Sequence, residues 1–330
     1  MIATSGPRLT AGALLSCIAF AGVAVAAPAR QQESRLIVAT SVAPLANIAR
    51  NVVGDRAEVV QLIPDGTDSH TYEPSPRNAK DLERADVVFL NGLHLEQPTL
   101  KLAQANAQKG TQIILMGEKT ITPGQYLFDF SFPKSGGDPN PHLWMNPTYA
   151  RRYSEIVSTT MAARDPKNAS RYRANQRAFA ARIGTLDRAI ATSVKTIPSA
   201  NRKLVTYHDS FAYFAPRYGF KVIGAIQPAD FSEPTPKEVQ AIIEQVKRLK
   251  VPAIFGSEVF PSSVLAAVAK ESGAKYVDKL RDDDLPGALD APQHSYIGML
   301  VEDVRTMTTA LGGNPRALNA VPVANVSSAR

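Results

Sequence analysis

Short apolar runs rich in β-branched residues alternate with helical patterns along most of this chain. Leu36–Val42 and Val87–Leu90 are two such runs, and a pattern of helical period follows each of them. Runs of this kind between helices are typical of buried strands in a parallel sheet, which right-handed crossover helices connect. The alternation resumes at Lys203–Tyr207 and ends with a helical pattern at Ser295–Leu311. The sequence therefore predicts an α/β protein with two lobes, each built on a parallel sheet.

A long helical pattern, Ser170–Lys195, separates the two alternating regions. Its apolar side chains recur every three or four residues and form one stripe, which is typical of an amphipathic helix. The stripe comprises Phe179, Ile183, Leu186, Ile190 and Val194. At 1.5 Å per residue such a helix is about 39 Å long, close to the breadth of a small domain. It can be a core helix of one lobe or a rigid connector between the lobes, and its central position favours the connector.

The chain begins with a segment that resembles a secretory leader. Arg8 precedes an apolar stretch that ends in the small-residue pattern Ala24-Val25-Ala26, which predicts a cleaved signal peptide over residues 1–26. A retained membrane anchor is the alternative. The other predicted regions are an N-terminal lobe over 27–168, the connecting helix over 169–197, a C-terminal lobe over 198–313 and a flexible tail over 314–330.

The single cysteine, Cys17, lies inside the predicted leader. The residues Leu14-Leu15-Ser16 before it loosely resemble a lipoprotein box, but the residues after it stay apolar. Cleavage near Ala26 is therefore favoured over lipid anchoring at Cys17, and we expect a periplasmic protein. The mature chain then has no cysteine, which excludes disulfides, thiolate metal sites and thiol nucleophiles. Any metal ion must be bound by histidine and carboxylate side chains.

The net charge of +7 is spread over 330 residues without runs of Lys or Arg. Proteins that bind nucleic acid concentrate basic residues on one face. The charge distribution therefore argues against nucleic acid as a partner.

Four possible metal donors each follow a predicted strand or a tight turn, although they lie far apart in the sequence. They are His70, His142, His208 and Asp278. His70 lies in the polar stretch Gly66–Pro74, and both His208 and Asp278 end predicted strands. Ligands collect at the carboxyl ends of strands in open parallel sheets. A single histidine in such a position is more often structural than a ligand, but three of them with an aspartate favour a metal site between the lobes.

The donor types indicate which metal such a site prefers. Neutral imidazole nitrogens suit zinc, whereas carboxylate oxygens also suit manganese. Three nitrogens and one carboxylate favour Zn²⁺ over Mn²⁺ by the usual order of divalent metals. Mn²⁺, alone or together with Zn²⁺, remains the alternative.

Four stretches give the chain a specific resemblance. They are Gly66–Pro74, Ala85–Glu96, Pro141-His142-Leu143-Trp144 and Tyr207–Phe214. In this order they resemble the zinc/manganese-type (cluster A-I) solute-binding proteins of metal ABC importers, and the similarity extends over about Leu36–Leu311. The resemblance implies two α/β lobes joined by one long rigid helix, with the metal at their interface. It places the metal ligands at His70, His142, His208 and Asp278, and it implies a membrane permease as partner for a monomeric, non-enzymatic binding protein.

Other residues near the motifs have supporting roles or none. Many zinc-specific members of that family carry a histidine-rich loop before the second ligand, but Gly117–Pro141 contains no histidine. Glu73 is a candidate for a hydrogen bond from a ligating imidazole, with a carboxylate at a helix start as the alternative. Glu233 is a candidate for the cleft or for a contact with the permease, with a solvated loop carboxylate as the alternative. Trp144 is expected to pack beside His142. The run Asp282-Asp283-Asp284 is expected to be a solvated turn.

A secreted zinc-dependent hydrolase is the strongest rival function, because zinc sites with an open coordination position are catalytic. The chain contains neither a His-Glu-x-x-His motif nor a Gly-x-Ser-x-Gly nucleophile elbow. A carboxylate as fourth donor would also close the site to an activated water. The sequence thus favours a metal-binding protein over an enzyme.

Overall fold

Two parallel sheets of four strands organise the part of the chain that the computed structural model describes, which comprises residues 1–4, 6, 35–227, 229, 231–257, 259 and 263–327. Most of the predicted signal segment, with Cys17, lies outside these residues. Residues 35–330 form one unit. Within the described residues, no helix combines the length and the apolar character needed to cross a membrane.

The N-terminal sheet has the strand order β2-β1-β3-β4, with every neighbouring pair parallel. Its strands are β1 (Leu36–Thr40), β2 (Ala57–Gln61), β3 (Val87–Leu90) and β4 (Gln112–Leu115). The surrounding helices are α1 (Ala43–Val53), α2 (Pro76–Glu83), α3 (Gln97–Asn106) and α4 (Pro147–Arg164). Every residue of β3 is buried, because helices cover both faces of a parallel sheet.

The C-terminal sheet repeats the pattern with the order β6-β5-β7-β8. Its strands are β5 (Lys203–Thr206), β6 (Lys221–Ala225), β7 (Ala253–Ser257) and β8 (Lys275–Leu280). The helices of this lobe are α6 (Ala215–Tyr218), α7 (Pro236–Leu249), α8 (Ser263–Ser272) and α9 (Tyr296–Ala310). The register shifts within the β5–β6 and β7–β8 pairs, which moves the end of β8 relative to its neighbour.

The long helix α5 spans Ala169–Lys195, within one residue of the predicted Ser170–Lys195. Its predicted apolar stripe is buried and packs against α4, α1 and α9. At 27 residues the helix is about 40 Å long. The prediction of two α/β lobes with parallel sheets and one long helix is confirmed, whereas the exact domain boundaries remain a prediction.

The segment after α9 contradicts the prediction of a flexible tail, as far as residue 327. Leu318 and Val321 are buried in the main core. Asn51 of α1 donates to the side chain of Asn325 over 2.8 Å and accepts from the backbone N–H of Val326 over 2.8 Å. Buried apolar side chains and a buried asparagine therefore anchor a segment whose small polar residues suggest disorder.

Candidate metal centre

His70 lies in the loop that follows β2. Asp68 shapes this loop, because its Oδ1 accepts from the backbone N–H of His70 over 2.9 Å in a local turn that is common for aspartate. Gly66 adopts a left-handed φ of 72°, which glycine allows without strain. The loop therefore turns His70 towards the second lobe.

His142 is fully buried at the start of a short 3₁₀ turn, Leu143–Met145. Pro141 before it cannot donate a backbone hydrogen bond and restricts its own φ. The side chain of Asn140 then holds the ring, because its Oδ1 lies 2.9 Å from His142 Nδ1. The Nε2 atom of His142 is thereby directed away from Asn140.

His208 follows β5 after one further residue and is also buried. The hydroxyl of Thr206, the last residue of β5, donates to the His208 carbonyl over 2.7 Å. This contact folds the chain back at the end of the strand, so the imidazole faces the N-terminal lobe. The position is the strand-end location that the sequence predicts.

The three histidines converge on one point, although 138 positions (208 − 70) separate the first from the last. His142 Nε2 lies 3.2 Å from His70 Nε2 and 3.3 Å from His208 Nε2. Among the described residues these three form the group whose donor atoms all lie within 4.8 Å of one another. The structure therefore brings together three of the four residues that the sequence singles out.

Asp278, the fourth predicted ligand, does not join them. It is an exposed residue inside β8, which continues to Leu280 rather than ending at Val277. The carboxylate at the cluster belongs to Asp282, whose Oδ2 lies 2.8 Å from His208 Nε2 and 3.6 Å from His142 Nε2. The structure thus places Asp282, rather than Asp278, beside the histidines, because the strand is longer than its apolar run indicates.

The run Asp282-Asp283-Asp284 is not the solvated turn expected from its composition. Asp282 and Asp283 are buried. Asp283 Oδ2 accepts from the backbone N–H of Ser69 over 3.3 Å, and Asp284 accepts from that of Gly66 over 2.9 Å. Two carboxylates of the C-terminal lobe therefore bind the backbone of the His70 loop.

The supporting candidates differ in position. Trp144 is fully buried, its ring lies 5.1 Å from that of His142, and its Nε1–H donates to the Asp282 carbonyl over 2.7 Å. Glu73 and Glu233 are both exposed. Exposure agrees with the solvated loop carboxylate that is the alternative for Glu233, and neither side chain forms part of the buried wall of the centre.

Two phenylalanines, which no sequence motif indicates, cover the histidines. The ring of Phe231 stacks on His70 with centroids 4.7 Å apart, and Phe132 lies 5.7 Å from the ring of His142. Both line a cavity of about 230 Å³ that reaches His70 and has His94 on its wall. Phe231 has a left-handed φ of 60°, which is strained for a bulky residue. Its place in a Phe-Ser-Glu-Pro loop carries no periodic signal, so the sequence does not reveal this role.

Burial and neighbouring charges shift the pKa values of the three imidazoles in different directions. Burial lowers the pKa of His70 well below its usual range, and His208 lowers it further. Burial likewise lowers the pKa of His142 strongly, with His70 and His208 acting in the same direction. For His208 burial lowers the pKa, but the charge and the hydrogen bond of Asp282 together with the charges of Asp283 and Asp68 outweigh burial and raise the pKa to about 9. At neutral pH two rings are neutral and the third is an imidazolium paired with Asp282.

This arrangement is suited to binding a cation rather than to turning over a substrate. Three Nε2 atoms and a carboxylate oxygen are donors that a borderline divalent metal accepts. The aromatic cover and the burial of His142 and His208 exclude bulk water from the donors.

Comparisons with known proteins agree on one family. Residues 38–310 match the family model ZnuA, "Zinc-uptake complex component A periplasmic". The iron-binding protein YfeA of Yersinia pestis is 30% identical over 318 residues, which is 93% of this chain and 98% of that protein. The manganese ABC transporter substrate-binding lipoprotein PsaA of Streptococcus pneumoniae is 25% identical, covering 78% of this chain and 83% of that protein.

Solved structures show the same architecture. A manganese-bound periplasmic metal-binding protein from Candidatus Liberibacter asiaticus is 28% identical, with a TM-score of 0.73, and the match covers 84% of this chain and 100% of that one. The periplasmic zinc-binding protein TroA from Treponema pallidum has a TM-score of 0.76 at 22% identity, covering 84% and 99% of the two chains. At that identity the TroA match is a likeness of fold.

Proposed function

The chain belongs to the ZnuA family of periplasmic zinc-uptake components, and we propose from this premise that it binds Zn²⁺ through His70, His142, His208 and Asp282. It is a substrate-binding protein of a divalent-metal ABC importer, and it is not an enzyme. The metal is its cargo, which it passes to a membrane permease of the importer.

The observation that carries the proposal is the spacing of the donor atoms. In a tetrahedral zinc site with Zn–N distances of about 2.0–2.1 Å, the ligand atoms are about 3.3 Å apart. The nitrogen of His142 lies 3.2 and 3.3 Å from the nitrogens of the other two histidines. Asp282 Oδ2 lies 2.8 Å from the nitrogen of His208 and 3.6 Å from that of His142. The distances around His142 are therefore close to those of a tetrahedral zinc site, with a carboxylate oxygen beside His208.

The donor set supports zinc over manganese as the cargo. Manganese prefers oxygen donors and a higher coordination number, whereas a cluster of three imidazoles and one carboxylate suits zinc. The second candidate is Mn²⁺, since PsaA is named a manganese ABC transporter substrate-binding lipoprotein and the 28% identical structure is manganese-bound. The family thus supports a divalent metal, and the nitrogen-rich centre supports zinc within that group.

Competition titration tests the cargo. Protein purified without added metal is analysed for bound metals, stripped, and then titrated with Zn²⁺ and Mn²⁺ against a chelator of known affinity. We expect zinc to bind at one site per chain and to displace manganese. Tighter binding of manganese would overturn the zinc assignment, and binding of neither ion would overturn the function itself.

The family also supports a location outside the cytoplasm. The choice between a free periplasmic protein and a lipid-anchored one is a further proposal. Cleavage after Ala26 leaves a free periplasmic protein, whereas several relatives are lipoproteins by name. Those names favour lipid attachment at Cys17 more than the sequence alone does. The mass of the mature protein distinguishes the two. We propose that a monomer delivers the metal, because both lobes that supply donors belong to one chain.

A further inference from the structure

Asn140 is fully buried two residues before His142, and both ends of its amide group are bound. Its Oδ1 accepts from the backbone N–H of His142 over 2.9 Å and lies 2.9 Å from His142 Nδ1. Its Nδ2 donates to Asp129 Oδ2 over 2.7 Å and to the Asp209 carbonyl over 2.5 Å. The amide orientation is unambiguous, because a backbone carbonyl only accepts and a backbone N–H only donates.

The oxygen end of this amide sets the tautomer of His142. Since Oδ1 accepts, His142 Nδ1 carries the proton and Nε2 keeps the lone pair that a metal needs. That Nε2 is the atom 3.3 Å from His208 Nε2. Asn140 thus directs one of the two donor atoms of the N-terminal lobe, Nε2 of His142.

The nitrogen end of the amide reaches the other lobe beside His208. The carbonyl of Asp209 accepts from Asn140, and the backbone N–H of Asp209 donates to Ser131 Oγ over 3.0 Å. The backbone carbonyl and the backbone N–H of Asp209 are therefore both bound by side chains of the N-terminal lobe. Because Asp209 directly follows His208 in the chain, these two contacts restrain the backbone that carries the third histidine.

We propose that Asn140 is a positioning residue that ties His142 to the backbone of His208, and that this role requires a neutral amide. The inference rests on the proposed metal-binding function. An aspartate at this position keeps an acceptor for His142 Nδ1–H but has no donor. Its second oxygen would face the Asp209 carbonyl and the Asp129 carboxylate across hydrogen-bond distances, and such contacts are repulsive in a buried site.

Asn140→Asp and Asn140→Ala separate the two ends of the amide. Asn140→Ala removes the acceptor that faces His142 and the donor that faces Asp129 and Asp209. Asn140→Asp retains the acceptor and loses the donor. We expect each variant to lose about 10- to 100-fold in zinc affinity, as is typical when a residue that orients a metal ligand is replaced. The loss should lie in faster dissociation of zinc, measured by stopped-flow chelator competition. Asn319→Asp, an exposed position paired with Arg305, is the matched control and should bind zinc like the wild type.

Two further measurements distinguish positioning from a general loss of structure. The absorption spectrum of the Co²⁺-loaded protein reports the coordination geometry, and we expect it to change in Asn140→Asp but not in Asn319→Asp. Ser131→Ala removes only the other contact to the Asp209 backbone, so it should weaken zinc binding in the same direction and by less. This variant tests the restraint even if the Asn140 variants fold poorly.

Two results would contradict the inference, and a third would overturn the proposed function instead. Wild-type affinity and an unchanged Co²⁺ spectrum in Asn140→Asp would overturn the inference, because the acceptor for His142 would then suffice. Unchanged zinc affinity and dissociation in Ser131→Ala would likewise contradict a restraint that acts through the Asp209 backbone. Failure of the wild-type protein to bind zinc or manganese would instead overturn the proposed function, so the two failures are distinguishable.

Discussion

The two halves of the metal centre hold their donors in different ways before a metal binds. The N-terminal half supplies His70 and His142, whose pKa values burial lowers well below the usual range, so both rings are neutral. The C-terminal half supplies His208 with a pKa raised to about 9, paired with Asp282 over 2.8 Å. In the proposed metal site, the neutral rings of one half can coordinate a cation directly, whereas in the other half a proton on His208 compensates the carboxylate and must leave when the metal binds.

This difference suggests how a buried cation site remains stable when it is empty. A buried carboxylate without a partner costs several kcal/mol, and a buried ion pair offsets much of that cost. The proton on His208 compensates Asp282, while the neutral rings of the other half add no charge. Metal binding then exchanges one proton for one dication.

Replacement of Asp282 should have the largest effect. Asp282→Asn removes the proposed carboxylate ligand that would compensate the charge of the buried dication. Leaving a buried charge without its partner costs about 3 kcal/mol or more, so we expect zinc affinity to fall by at least about 100-fold. Asp278→Asn is the matched control, because Asp278 is exposed in β8. Chelator competition on both variants checks this; a larger loss in Asp278→Asn would restore the assignment made from the sequence.

The contrast between these two aspartates also shows what the sequence can and cannot predict. His208 lies two residues after β5 and His70 lies in the loop that follows β2, so a rule that looks for ligands beyond strand ends locates both. The run before Asp278 ends at Val277, but β8 continues to Leu280 through a register shift against β7. Local apolarity does not reveal such a shift, because pairing with the neighbouring strand decides it.

The sequence does not predict the burial of Asp282 and Asp283, for a related reason. Three consecutive aspartates resemble a solvated turn by composition. The burial of Asp282 and Asp283 depends on partners more than 130 positions away in the chain, such as the Trp144 N–H that binds the Asp282 carbonyl and the Ser69 N–H that binds Asp283. The two lobes, the parallel sheets and the long helix are predictable because their signals are periodic and local, whereas partners of single polar residues are not.

The proton held by the C-terminal half should appear as a pH dependence. A group whose pKa rises on folding stabilises the folded state below its unfolded value near 6.5 and loses that contribution as the pH rises through about 9. The metal-free protein should therefore lose stability over this window, while zinc affinity should rise about tenfold per pH unit, because binding expels one proton.

Calorimetry in buffers of different ionisation enthalpy measures that proton directly. We expect about one proton released per zinc at pH 7.5, and less in Asp282→Asn because His208 then lacks the carboxylate that raises its pKa. Equal affinity at pH 7 and pH 8.5, with no proton release, would remove the distinction between the two halves.

His208→Asp converts the C-terminal half into an all-oxygen half and should alter selectivity. Zinc gains less from an oxygen donor than from an imidazole, whereas manganese prefers oxygen. We expect the zinc-to-manganese affinity ratio to fall by about tenfold or more. Direct competition between the two ions measures this ratio, and His94→Asp, at an exposed histidine on the cavity wall, is the control. An unchanged ratio in His208→Asp would show that the third donor does not determine metal preference.

The smallest expected effect concerns the contact that joins the halves. Trp144 packs beside His142, yet its N–H donates to the backbone of Asp282 over 2.7 Å. Trp144→Phe keeps an aromatic ring beside His142 and removes only that donor, which costs about 1 kcal/mol, or about fivefold in zinc affinity. If the N-terminal half positions Asp282 in this way, the loss should appear in the dissociation rate, with the proton release unchanged. A change in proton release without a change in dissociation would mean that Trp144 acts on the His208–Asp282 charge pair rather than on the position of the carboxylate.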